Sequence, residues 1–139
     1  MPFHPNPTLI SDKELVGRRI FGDKIWDGDH SKEGMWIFRW DHFFDERLVE
    51  INDPNDGLSF DRLGVRRPDK DVLAILRPLA EKEGSDRVPS RQFKGWAVVA
   101  VAKLRHQIPS CELRPQRIVK TSSEGNIYHA VLNIPCYQT

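Results

Sequence analysis

Gly95-Trp96-Ala97-Val98-Val99-Ala100-Val101-Ala102 is the stretch on which the fold turns. It is apolar at both parities, β-branched at three positions and bounded by Lys94 and Lys103. That pattern describes a strand buried on both sides, so it reads as the central strand of a sheet. Downstream, 127–134 alternates Tyr128, Ala130, Leu132 and Ile134 against Ile127, His129, Val131 and Asn133, a second strand. Arg117-Ile118-Val119-Lys120 is a short strand candidate, and Ser122-Ser123-Glu124-Gly125-Asn126 is turn chemistry. Upstream, 68–83 carries Val72, Ile75, Leu76, Leu79 and Ala80 at helical spacing. Pro68 suits its first turn, Asp69 and Asp71 complement the positive end of the dipole, and Gly84 is placed to stop it. Pro78 falls inside this stripe and predicts a kink, or two short helices.

Further upstream, Met35-Trp36-Ile37-Phe38-Arg39-Trp40 is an aromatic-rich strand candidate, and 27–34 is a glycine-bearing surface loop. Asp53-Pro54-Asn55-Asp56-Gly57 is a turn separating Arg47-Leu48-Val49-Glu50-Ile51 from Gly57-Leu58-Ser59-Phe60-Asp61-Arg62-Leu63. Ser11 with Glu14 matches a capping box and predicts a short helix ending by Gly17 or Gly22. Pro2, Pro5 and Pro7 make 1–10 an extended arm. The expectation is one α+β domain over 11–139, a mostly antiparallel sheet packed against one main, Pro-kinked helix.

The 139 residues suit a single domain, and 39% apolar content supports a core without disulfides or structural metal. Twenty-one Lys and Arg against twenty Asp and Glu give a net charge of +1, which argues against a simple nucleic-acid binder. The distribution is less even. Residues 41–56 hold six acids and one base, whereas 62–120 hold fourteen bases and six acids. Aromatic residues do not interleave with those bases, so nucleic acid is a weaker expectation than a protein or a small anion. Cys111 and Cys136 read as reduced thiols, with a bridge between them left open. The first ten residues lack a signal peptide's basic flank and apolar run, and no window reaches membrane-spanning length. The chain therefore reads as a cytoplasmic protein with no membrane segment.

Arg39, between Met35 and Ile37 on one strand face, needs a carboxylate, carbonyls or an anionic ligand. An ion pair with the acidic stretch is the plainer account. His129 lies inside a strand where an imidazole could serve as acid, base or ligand, although a carbonyl-satisfied histidine is the commoner arrangement. Ser59 and Asp61 share the face opposite Leu58 and Phe60, with no nucleophile elbow around the serine. Arg62, Arg66 and Arg67 precede the helix, where backbone amides and guanidinium groups could hold an anion. Histidine and carboxylates gather at 27–30 and 41–46 without any known metal spacing, so no metal or cofactor is expected.

Asp56-Gly57-Leu58-Ser59-Phe60-Asp61 and Asn126-Ile127-Tyr128-His129-Ala130-Val131 resemble the "D-G-x-L-S-V-D" and "N-x-x-H-A" motifs of a loose family of small uncharacterised bacterial proteins, with Phe60 in place of valine. The resemblance spans roughly 36–132 and implies a bacterial protein in which Arg39, Ser59, Asp61 and His129 form one set. An arginine on an early strand followed by a serine-bearing strand is also similar to ADP-ribosyltransferase-like and RNA phosphotransferase-like domains. Two functions are thus expected: recognition of an anionic ligand or protein partner, or a small toxin-like or RNA-processing enzyme acting on a nucleotide or nucleic-acid phosphate.

Overall fold

The computed structural model describes residues 2–22, 58–109, 111–116 and 126–133. Arg39, the loop at 27–34, the acidic stretch, both histidine-carboxylate groups, the strand candidate at 117–120 and Cys136 lie outside these residues. Among the described residues five strands and two helices follow one another: β1 Glu14–Phe21, β2 Leu58–Val65, α1 Lys70–Asp86, β3 Phe93–Ala100, α2 Val101–Gln107, β4 Glu112–Pro115 and β5 His129–Asn133. The strands form one sheet in the order β3-β1-β2-β5-β4, with every neighbouring pair antiparallel. The fold is a single α+β domain.

The sheet is covered on both faces because its strands are apolar at alternating positions on each. On one side, Val16, Leu58, Phe60, Val99, Leu113, Ala130 and Leu132 pack with Ile10 and with Val101 and Leu104 of α2. On the other, α1 lays Val72 and Leu76 over Leu63 and Tyr128, and Ala80 over Phe21 and Phe93. Burial on α1 recurs strictly every four residues, at Val72, Leu76, Ala80 and Gly84. Ile75 and Leu79, expected in the same stripe, are instead 52% and 41% exposed.

Further expectations are corrected, among them the shared face of Tyr128 and Ala130, since Tyr128 packs under α1 and Ala130 on the opposite side. The stretch opening at Gly95 is not central. Among the described strands β3 lies at the edge of the sheet, Val98 is exposed, and the chain turns into α2 at Val101 so that Val101 and Leu104 bury at helical spacing. The centre belongs to β2, whose Asp61 and Arg62 disguise it in sequence because their charges are paired inside.

Ser11 and Glu14 do form half of the capping box, the Ser11 N–H donating to Glu14 Oε2 at 2.8 Å. Here, however, it closes a turn, with the Glu14 N–H donating to the Ser11 carbonyl, and a strand follows. Val16, Ile20 and Phe21 favour the sheet, and β1 is held on both edges by β2 and β3. Helix α1 runs as one element through Pro78, rather than as two short helices, and continues past Gly84 to Asp86.

The β2–α1 turn places the residues that follow it. Gly64 has φ +149°, and a Cβ there would lie 2.6 Å from the Arg67 carbonyl oxygen, so the tight return of the chain needs glycine. Arg66 adopts φ 69°, and the Asp69 N–H donates to the Leu63 carbonyl at 2.7 Å. Asp69 then caps α1, accepting from the amides of Asp71 and Val72.

Candidate functional site

Two buried charge networks and one exposed basic row surround β2. In the first network Asp61, 2% exposed, receives the Arg19 guanidinium in a bidentate pair: Nε to Oδ2 at 2.8 Å and Nη2 to Oδ1 at 3.0 Å. The Trp96 indole N–H also donates to Oδ2, at 2.7 Å. Arg19 Nη1 reaches Glu83 Oε1 on α1 at 3.0 Å, and Glu83 in turn accepts from Arg87. Burial works against the Arg19 charge, but the hydrogen bonds and charge of Asp61, with those of Glu83, outweigh it and raise the guanidinium above its ordinary value. Three strands are tied through the Asp61 carboxylate, and Glu83 joins the helix to them through Arg19.

His129 stands directly across from Asp61 in the β2–β5 register, and Ser59 sits diagonally from it, across from Val131. The structure thus gathers Ser59, Asp61 and His129 on one face of the sheet. Burial pushes the His129 ring below its ordinary value, while Asp61 and the Gln116 carbonyl pull the other way without prevailing. Its surroundings therefore favour the neutral ring. Its Nδ1 lies 3.3 Å from the Gln116 carbonyl oxygen, which assigns the proton to Nδ1 and leaves Nε2 as the acceptor. Both Asp61 oxygens are engaged, by Arg19 and by the Trp96 indole.

The second network fixes Arg62. Its side chain is wholly buried, donating from Nε to Glu14 Oε1 at 2.7 Å and from Nη2 to Glu14 Oε2 at 2.8 Å. Nη1 donates to the Asn6 carbonyl and Nη2 also to that of Leu9, at 2.6 and 2.9 Å. Arg62 is thereby committed to the arm and to β1. The helix-start amides are committed too, since the Asp69 carboxylate occupies them. The Phe3 N–H donates to the same carboxylate at 2.9 Å and, as the largest influence, holds it below its usual value. An anion approaching this corner meets Arg66 and Arg67, not Arg62.

Those two begin the basic row. Arg66, Arg67, Lys70 and Arg77 are exposed, and none makes an ion pair among the described residues. Lys70 and Arg77 are seven positions apart, about two helical turns or ~10 Å along one side of α1. Arg77 is held over β3, its guanidinium carbon 5.7 Å from the ring centroids of both Phe93 and Trp96. The two rings meet edge to face at 4.7 Å, so the cation rests on a fixed aromatic corner. Glu81 ends the row one turn beyond.

Arg19, Glu83 and Arg77 were not singled out in the sequence, and Glu14 and Trp96 entered it only through the capping box and the strand stretch. The arginine carried a signal, since it lies in an apolar run with strand character, but the capping box before it read as helix. Glu83 and Arg77 gave none, being ordinary charges on a helix. Cys111 is a free, half-buried thiol pushed up by burial against the opposing charge of Arg105. Among the described residues, no three His, Cys, Asp or Glu side chains gather around a common point as a metal would require, and no helix is long and apolar enough to cross a membrane. A scan against family models and searches of curated proteins and of solved structures gave no match to the chain.

Proposed function

We propose that the chain is a binding domain that recognises an anionic ligand or the acidic surface of a protein partner. One observation carries the reading: the inward-reaching Arg19 and Arg62 are engaged by Asp61, Glu83, Glu14 and backbone carbonyls, whereas Arg66, Arg67, Lys70 and Arg77 follow one another, exposed and without a carboxylate partner among the described residues. A row of solvated cations costs self-repulsion and gains from a polyanion, chiefly in association rate. Retention on immobilised polyglutamate tests it. The wild-type chain elutes with rising salt, and Arg66→Glu with Arg67→Glu elutes markedly earlier. Lys13→Glu with Lys103→Glu, the same charge change away from the row, elutes nearly as wild type. Equal shifts in both variants would mean that net charge alone governs retention, and the reading would fall.

A second reading rests on His129, whose neutral ring is oriented by the Gln116 carbonyl with Nε2 as acceptor. In it the chain is a small enzyme acting on a nucleotide or nucleic-acid phosphate, His129 taking or giving the proton, Ser59 orienting substrate and Arg39 holding the anion. It predicts cleavage of a phosphodiester such as bis-p-nitrophenyl phosphate that disappears in His129→Gln. Activity that survives this substitution, or none in the wild type, counts against it.

A further inference from the structure

We infer that the partner is an extended acidic polypeptide segment, which adds as a strand to the edge of β3 that no described strand covers, beside the basic side of α1. The inference rests on the binding reading above and specifies its ligand. β3 is eight residues long and is paired only on its β1 side among the described strands. Its first half is marked by a register shift and by Gly95 at φ +131°, a feature that turns an edge away from pairing. Its second half is regular: Ala97, Val98, Val99 and Ala100 pair in unbroken register with Arg18, Gly17, Val16 and Leu15. No proline interrupts it, and the only charge on the strand is Lys94, within the irregular half. An unprotected edge of this kind offers backbone donors and acceptors to an incoming strand.

The charge beside that edge selects the occupant. Arg77 lies over Phe93 and Trp96 of β3 itself, so its guanidinium stands above the edge strand rather than over the middle of the sheet. Lys70 lies two turns back on the same side of α1, whereas Arg66 and Arg67 follow β2, two strands in from this edge. A strand added about 4.8 Å outside β3 would turn alternate side chains toward this row. Those side chains would also meet Val98, which shares the α1 face with Gly17 and Trp96 and is 38% exposed. Acids at some of these positions and a small apolar residue at another complement what is there. A basic or uniformly apolar segment would leave the row unanswered.

The test uses the full chain and three synthetic peptides: one alternating glutamate with valine, its lysine counterpart, and the glutamate peptide N-methylated on alternate residues. The third keeps the charge and removes the strand's donors. We expect the glutamate peptide to slow amide exchange at 97–100, and to bind at least about tenfold more tightly than either other peptide. Val98→Glu should weaken its binding through like-charge repulsion without altering the unfolding midpoint. Equal binding of the N-methylated peptide would overturn strand addition while leaving the electrostatic reading intact. Equal binding of the lysine peptide would overturn both. Protection absent from β3, or dimerisation of the chain through this edge in place of peptide binding, would also refute the proposal.

Discussion

Glu14 and Arg62 set the stability of the β1–β2 pair at the scale of single residues. The guanidinium is fully buried, and its carboxylate partner is 3% exposed, so neither charge can fall back on water. Glu14→Gln keeps the shape and removes the charge, and should cost about 3 to 5 kcal/mol, read as a drop in the urea midpoint. Replacing both partners, Glu14→Leu with Arg62→Met, should recover most of that loss because no buried charge is left behind. His129 gives a pH dependence of definite sign. Its folded value lies below the ordinary 6.5, so the unfolded chain takes up the proton first as pH falls. The stability it contributes is complete above about pH 6.5 and is lost as pH falls from there toward the folded value. Urea midpoints across the acid limb should therefore fall less steeply in His129→Gln than in the wild type.

Individual elements show where periodicity and propensity stop deciding. Gly84 is read from sequence as a helix stop, yet it lies inside α1, buried, with the carbonyl oxygen of Arg91 directly against the place of a Cβ and Phe21 Cδ1 3.0 Å away. Alanine is the better helix former by about 1 kcal/mol. Overpacking against a backbone carbonyl costs typically about 1 to 3 kcal/mol, and that carbonyl is fixed by the adjoining Arg91 N–H bond to Gly84 itself. Gly84→Ala is therefore expected to destabilise the chain, by roughly 1 kcal/mol net, in thermal unfolding. β1 teaches the same lesson in reverse. Its capping box is chemically real, but a turn can use the same hydrogen bond, and the sheet supplied two partner strands for residues that an isolated helix could not bury.

At the scale of the whole molecule, the near-neutral total of +1 conceals a sorting of charge by depth. Arginines that reach inward, Arg19 and Arg62, are matched almost atom for atom, and those along the open side of α1 are left to solvent. The sequence by itself determined the α+β class, the main helix and the shared face of Ser59 and Asp61, because each follows from spacing within one segment. It also placed His129 on a strand, of which it proves to be the first residue rather than an interior one. Only the tertiary structure decided that Asp61 faces His129 across a strand pair, that Arg62 points inward to Glu14, and that β3 lies at the edge. These depend on which distant strands become neighbours, and no local period encodes that choice. Burial followed the same rule: the central strand carries an aspartate and an arginine because partners 42 and 48 residues away neutralise them.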